Sequence, residues 1–123
     1  MRLTRLYADA AGESHFDEVV VELAPAPFAP PAPPVDLSPL LAATGCLFVG
    51  FPEGWRGDWH PVPRRQLFCF LTGTVEVQAS DGEVRVFRPG DCGLAEDTTG
   101  RGHVSRNAGS GDALMAAIQL ADA

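Results

Sequence analysis

The stretch Thr74–Phe87, "TVEVQASDGEVRVF", sets apolar and polar residues in alternation on either side of Asp81-Gly82. Alternation with a period of two places one face of each run inward, and Asp-Gly supplies the positive φ that a tight hairpin turn needs. A lone hairpin is not stable, so the rest of the chain has to complete a sheet around it. The same punctuation recurs: Thr72-Gly73 follows "QLFCFL" (66–71), Pro89-Gly90-Asp91 precedes "CGLAE" (92–96), and a Gly-Ser-Gly turn precedes "ALMAAIQL" (113–120). Adding "FDEVVVEL" (16–23), "CLFVGF" (46–51) and "HVSRN" (103–107) gives seven or eight short strands, the pattern of an all-β sandwich or barrel. Helix is expected only around "DLSPLLAA" (36–43), although the Ala and Leu content of 113–120 also suits a short helix.

A chain of 123 residues forms one domain with one core. Residues 1–44 read as an N-terminal strand followed by a Pro/Ala-rich strap packed on the barrel, and 45–123 as the barrel itself. The strap, "APAPFAPPAPP" (24–34), is too rich in proline for helix or inner strand; it predicts an extended polyproline-type segment anchored by Phe28. The net charge of −7 disfavours nucleic acid as a partner. All nine basic residues are arginine, which removes lysine Schiff-base chemistry. No run approaches the roughly 20 apolar residues of a membrane span, and the first residues lack the apolar core of a signal peptide, so a cytoplasmic location is expected. Cys46, Cys69 and Cys92 form no CxxC pair and read as reduced thiols, with Cys69 facing away from Gln66 as a buried, inert one.

Alternation also groups the polar residues. Gln66, Phe68 and Phe70 share one face of their strand, and His103, Ser105 and Asn107 share one face of theirs. On these residues the sequence resembles the cupin family of small jelly-roll barrels, whose first motif runs G-x5-H-x-H-x3,4-E-x6-G and whose second runs G-x5-P-x-G-x2-H-x3-N. His60 falls at the first histidine, Val62 at the second, Gln66 at the glutamate, and Gly73 closes the first motif with its six-residue gap. Gly100, His103 and Asn107 match G-x2-H-x3-N, with Thr98 where proline is usual. The segments "GDWHPVPRRQ", "AEDTTGRGH" and "GESHF" are similar to those of small single-domain bacterial cupins.

The resemblance implies a cupin-type jelly-roll β-barrel with little helix, a pocket inside it, and a homodimer formed through an exposed strand or sheet face. It also implies a divalent metal such as Fe, Mn, Ni or Zn on three histidines and a glutamate. This chain keeps only His60 and His103 of that set; Val62 cannot ligate and Gln66 offers a neutral oxygen, so any metal would rest on His60, Gln66 and His103. The expected chemistry is therefore acid–base catalysis on a small organic metabolite, of isomerase, lyase or cyclase type, by His60, His103, Gln66 and Asp97. Asp97 is open to two readings of equal weight, a local turn cap or an acid paired with His103. Trp59, Arg64, Phe68, Phe70 and Glu96 are expected around the substrate, with Arg64 pointing inward by parity with Gln66. His15 reads as a packing or surface residue. The alternatives are a small-molecule-binding protein without chemistry and a metal-dependent dioxygenase.

Overall fold

The structure is a computed structural model and describes residues 1–121. Eleven strands and no helix occur among the described residues: β1 (Arg2–Ala8), β2 (Ser14–Val20), β3 (Ala24–Ala26), β4 (Val35–Leu37), β5 (Ala43–Phe51), β6 (Gln66–Thr72), β7 (Val75–Ala79), β8 (Val84–Phe87), β9 (Cys92–Ala95), β10 (His103–Asn107) and β11 (Ala113–Leu120). Six of them form one sheet in the order β2-β1-β9-β6-β11-β5, and β10-β7-β8 form a second. The segment containing "ALMAAIQL" is a strand because it is flanked on both sides, by β5 and β6, and tertiary pairing outweighs its helical composition.

Side chains from the inner faces of both sheets make the core. Phe70 and Met115 meet Val75, Val77 and Phe87, with Leu6, Phe16 and Phe51 closing the ends. Phe70 and Phe87 stack across the two sheets with centroids 4.6 Å apart and planes 15° apart. Burial of a phenylalanine of this kind contributes about 1.5–3 kcal/mol, and truncation to alanine costs about 3–5 kcal/mol once the cavity left behind is included. Gly73, between β6 and β7, has φ +77°, and a Cβ at that position would lie 2.7 Å from the Ala113 Cβ, so the turn can carry no side chain.

Several expectations change over residues 1–43. The first strand of the chain is β1, in a segment without a strand pattern of its own, and the "FDEVVVEL" strand begins earlier, at Ser14. β1 pairs in parallel with β9, so residues 2–20 belong to the main sheet instead of packing on a finished barrel. The strap folds back on itself, with β3 pairing β4, and Phe28, expected as its anchor, is 72% exposed. "DLSPLLAA" forms no helix: Pro39 lacks the amide a helix interior needs, and Val35–Leu37 pairs with β3.

Ion pairs tie the N-terminal strands to the rest. Arg5 of β1 makes a paired contact with Asp17 of β2 (2.7 and 2.5 Å) and reaches Glu96 at 3.5 Å, while Arg65 binds the other oxygen of Glu96 at 2.5 Å. His15 of β2 bridges two turns, its Nε2 2.7 Å from Asp9 and its Nδ1 2.8 Å from Asp81. These hydrogen bonds to Asp9 and Asp81 raise the His15 pKa above its usual 6.5; Asp9 is lowered chiefly by His15, and Asp81 is lowered first by the Glu83 amide and then by His15. A base whose folded pKa is raised stabilises the fold fully below its unfolded value and loses that contribution as pH rises through the folded value. The melting temperature should therefore fall as pH is raised from 6 past the elevated His15 pKa, and thermal scans of His15→Gln should show that part of the pH dependence removed.

Candidate functional site

Between the sheets lies a cavity of about 390 Å³. Its walls are Phe16, Phe51, Trp55, Phe68, Phe70, Phe87 and Met115, together with smaller aliphatic residues, and no Asp, Glu or Arg among the described residues lines it. The polar lining consists chiefly of His60, His103, Gln66, Ser105 and Gln119. Strand parity accounts for the grouping: Gln66, Phe68 and Phe70 of β6 and Met115, Ala117 and Gln119 of β11 are alternate residues, so each set turns to the same side.

The polar end is built by a close backbone approach. His60 and His103 exchange both hydrogen bonds, each amide donating to the other's carbonyl at 3.0 Å, so that the loop before β6 runs antiparallel to β10. This brings the two imidazoles to 4.8 Å between centroids with planes tilted 53°. The approach requires Gly102. Its φ is +73°, and a Cβ there would sit 2.0 Å from the His60 carbonyl oxygen. Behind it the fully buried Ser14 donates its hydroxyl to the Gly102 carbonyl at 2.7 Å and exchanges two 2.7 Å bonds with Ser80.

Each imidazole is held from behind. The carboxylate Oδ2 of Asp97 accepts from His103 Nδ1 at 2.6 Å, and the carbonyl of Asp58 accepts from His60 Nδ1 at 2.8 Å. With the proton on Nδ1 in both neutral rings, Nε2 is the free acceptor, and no protein partner for either Nε2 occurs among the described residues. Asp97 is fully buried, and its Oδ1 has no hydrogen-bond partner among the described residues. Its one side-chain partner is therefore His103, and the backbone of the same residue is fixed by the Val62 amide, which donates to its carbonyl at 3.1 Å. Of the two readings of Asp97, the geometry has the acid–imidazole pair.

The structure brings together His60, Gln66, Phe68, Phe70 and His103 around one cavity, with Asp97 immediately behind His103. It leaves out three residues expected there. Arg64 and Trp59 are exposed and line no part of the cavity, because Pro61 and Pro63 break the strand alternation on which the inward placement of Arg64 rested. Glu96 is neutralised by Arg65 and Arg5 on the outside of the sheet. Ser14, Gly102 and Gln119 escaped sequence reasoning. Only Gly102 carried a local signal, the paired glycines of "TGRGH", whereas Ser14 reaches the site from 88 residues away. Asn107, the last residue of the second motif, is structural: its Nδ2 reaches the carbonyls of Phe51 and Gly111, and its Oδ1 accepts from the Gly109 amide. Cys69 faces outward, 3.9 Å from the Cys92 sulfur, and burial and that neighbour push the Cys92 thiol up to about 11.

Two solved structures share this architecture. The cupin domain of Cnp3 from Schizosaccharomyces pombe aligns with a TM-score of 0.53 at 16% identity, over 89% of this chain and 73% of that one. The chain has the cupin fold. Protein NMB1881 from Neisseria meningitidis aligns with a TM-score of 0.50 at 18% identity, over 62% of this chain and 72% of that one. No protein-family model and no curated protein matches the sequence.

At the positions of the cupin ligand set, this chain offers two imidazoles, His60 and His103, and one amide, Gln66. No group of three or more His, Cys, Asp or Glu suited to a metal occurs among the described residues. Val62, at the position of the second histidine, is 3% exposed and lines the cavity, and the neutral Gln66 supplies no negative charge to offset a dication. These residues do not fit the metal set of the family.

Two measurements check this site. Gly102→Ala should lower stability by about 2–4 kcal/mol in denaturant titration, the cost of forcing apart the two paired backbones. Val62→His combined with Gln66→Glu should convert the site into a metal-binding one, seen in calorimetry as Zn²⁺ or Ni²⁺ affinity at least tenfold above that of the unmodified chain.

Proposed function

We propose that this small cupin holds an uncharged, mostly apolar organic molecule in the barrel and moves a proton on it by acid–base chemistry of isomerase, lyase or cyclase type. The observation that carries the reading is His103: Nδ1 is fixed by a buried carboxylate, and Nε2, at the polar end of an apolar cavity, has no protein partner among the described residues. A ring oriented in this way has one competent tautomer, and the carboxylate stands opposite the positive charge it takes up with a proton.

In this account the aromatic walls bind the carbon skeleton and exclude water, which strengthens every polar interaction at the reacting end. Gln66, 6% exposed with its amide turned to the cavity, donates a hydrogen bond to a substrate carbonyl and steadies the negative charge that builds on its oxygen. His103 Nε2 takes a proton from the carbon next to that carbonyl. The same proton, now on His103 Nε2, returns elsewhere on the molecule, or passes to the free Nε2 of His60, 4.8 Å away between ring centroids and more open to solvent, which exchanges it with water. Among the described residues the lining holds no arginine, which argues against phosphorylated or polycarboxylate substrates.

A second reading, binding without chemistry, is favoured by the same lining: nearly the whole wall is apolar and suits retention of a ligand as well as its conversion. An apolar bicyclic ketone such as 2-tetralone, followed by proton NMR in D₂O, separates the two. The acid–base reading predicts exchange of the protons beside the carbonyl well above the buffer rate, reduced about 10²-fold or more in His103→Ala and also reduced in Asp97→Asn. Saturable binding of the ketone with exchange at the buffer rate would instead favour the binding protein.

A further inference from the structure

The polar end of the cavity holds one more group than the proposed chemistry uses. The β6–β11 register sets Gln119 directly opposite Gln66, and both residues line the cavity. Side chains opposed in this way start about 4.5–5.5 Å apart at Cβ, so one small functional group can touch both amides. The next residue along the same row is Gly45 of β5. Gln119 Oε1 lies over it, where a Cβ would be in ordinary contact at 3.6 Å, and the glycine leaves that side of the amide uncrowded. Neither side-chain amide has a protein partner among the described residues; the contact of Thr44 Oγ1 with Gln119, at 3.5 Å, is to the main-chain carbonyl. Gln66 is 6% exposed and faces a mostly apolar cavity, so the donors and acceptors of this pair are left for the molecule in the cavity to meet.

We infer, on the acid–base reading of this site, that Gln119 is a binding residue that selects a hydroxyl beside the substrate carbonyl, and that the cavity takes an apolar α-hydroxy ketone. The class follows from what each polar group leaves open. Among the described residues no arginine lines the cavity, so the molecule is uncharged. Gln66 donates to its carbonyl, as in the proposed chemistry, and Gln119 Oε1 then calls for a donor close to that carbonyl. A hydroxyl is the uncharged donor that suits His103. It leaves between itself and the carbonyl a carbon that can give up a proton to Nε2, whereas an amide N–H in that place would substitute nitrogen for the reacting carbon. The two oxygens of an α-hydroxy ketone sit on adjacent carbons, within the span of two opposed amides. A simple ketone satisfies Gln66 and leaves the Gln119 oxygen unpaired against an apolar wall. A site that hydrogen-bonds a substrate hydroxyl discriminates strongly against the analogue without it.

Titration calorimetry of the full chain with three probes of one skeleton tests the inference: 1-tetralone, 2-hydroxy-1-tetralone and 2-methoxy-1-tetralone. The expected result is that the hydroxy ketone binds at least tenfold more tightly than either of the others, because the parent ketone lacks the hydroxyl and the methyl ether keeps its oxygen but cannot donate. In Gln119→Leu the affinities of hydroxy ketone and ketone should come within threefold of each other. Should that variant fail to fold, the comparison of hydroxy ketone with methyl ether in the unmodified chain decides alone. Equal affinities in the unmodified chain, a methyl ether bound as tightly as the hydroxy ketone, no saturable binding of the hydroxy ketone, or a preference that persists in a folded Gln119→Leu would overturn the inference. Equilibrium binding requires no proton transfer, so the two readings fail separately. A tenfold preference without exchange of the protons beside the carbonyl would sustain Gln119 as the selecting residue and remove the acid–base chemistry, and exchange without the preference would do the reverse.

Discussion

The arrangement depends on two backbones meeting at Gly102. β10 and the loop that ends at His60 lie so close that the His60 carbonyl would fall 2.0 Å from any side chain at that position. The reciprocal hydrogen bonds between His60 and His103 satisfy amides that the loop would otherwise leave open, and they bring two imidazoles from distant parts of the chain to one end of the cavity. Ser14 and Ser80 extend the same joint to β2 and β7, coupling both sheets to it. The positions of the histidines are thus set by main-chain geometry, and side-chain packing refines them.

What this joint positions is an asymmetry of polarity. One end of the cavity carries His60, His103 and Gln66, and most of the remaining wall is aromatic or aliphatic. A carboxylate buried behind His103 with a single side-chain partner is costly to desolvate, and the pairing with His103 offsets part of that cost. Placing a buried acid where it fixes the tautomer of a cavity-lining imidazole is the kind of expense a fold carries at a working site. The replacement of a ligand histidine by Val62 and a ligand glutamate by Gln66 removes ligands and negative charge from the cavity and leaves that one oriented ring as its most distinctive polar feature.

Much of the fold was legible because the C-terminal two-thirds of the chain writes its strands locally. Alternation between Gly and Asp-Gly turns marked β6 to β11 to within a residue or two, and the motif spacing marked His60, Gln66 and His103. What remained hidden depends on partners far away in sequence. β1, "RLTRLYA", mixes arginines with its apolar residues; it pairs along its whole length with β2, and it joins the main sheet by a parallel contact of Thr4–Leu6 with β9 that no local pattern announces. Parity failed for Arg64 because two prolines interrupt the extended chain, and Glu96, expected beside the substrate, is held outside by Arg5 and Arg65. Phe28 was expected to anchor the strap to its own barrel, but the β3–β4 hairpin that carries it leaves it 72% exposed.

The central claim is that His103 presents an unprotonated Nε2 to the cavity because Asp97 holds its Nδ1 proton. Nitrogen-15 NMR of the imidazoles in the unliganded protein, at a pH where His103 is neutral, reads this directly. The account predicts His103 as the Nδ1–H tautomer, shifting toward the Nε2–H form in Asp97→Asn. A neutral His103 protonated at Nε2 in the unmodified protein, or a tautomer indifferent to Asp97→Asn, would contradict it.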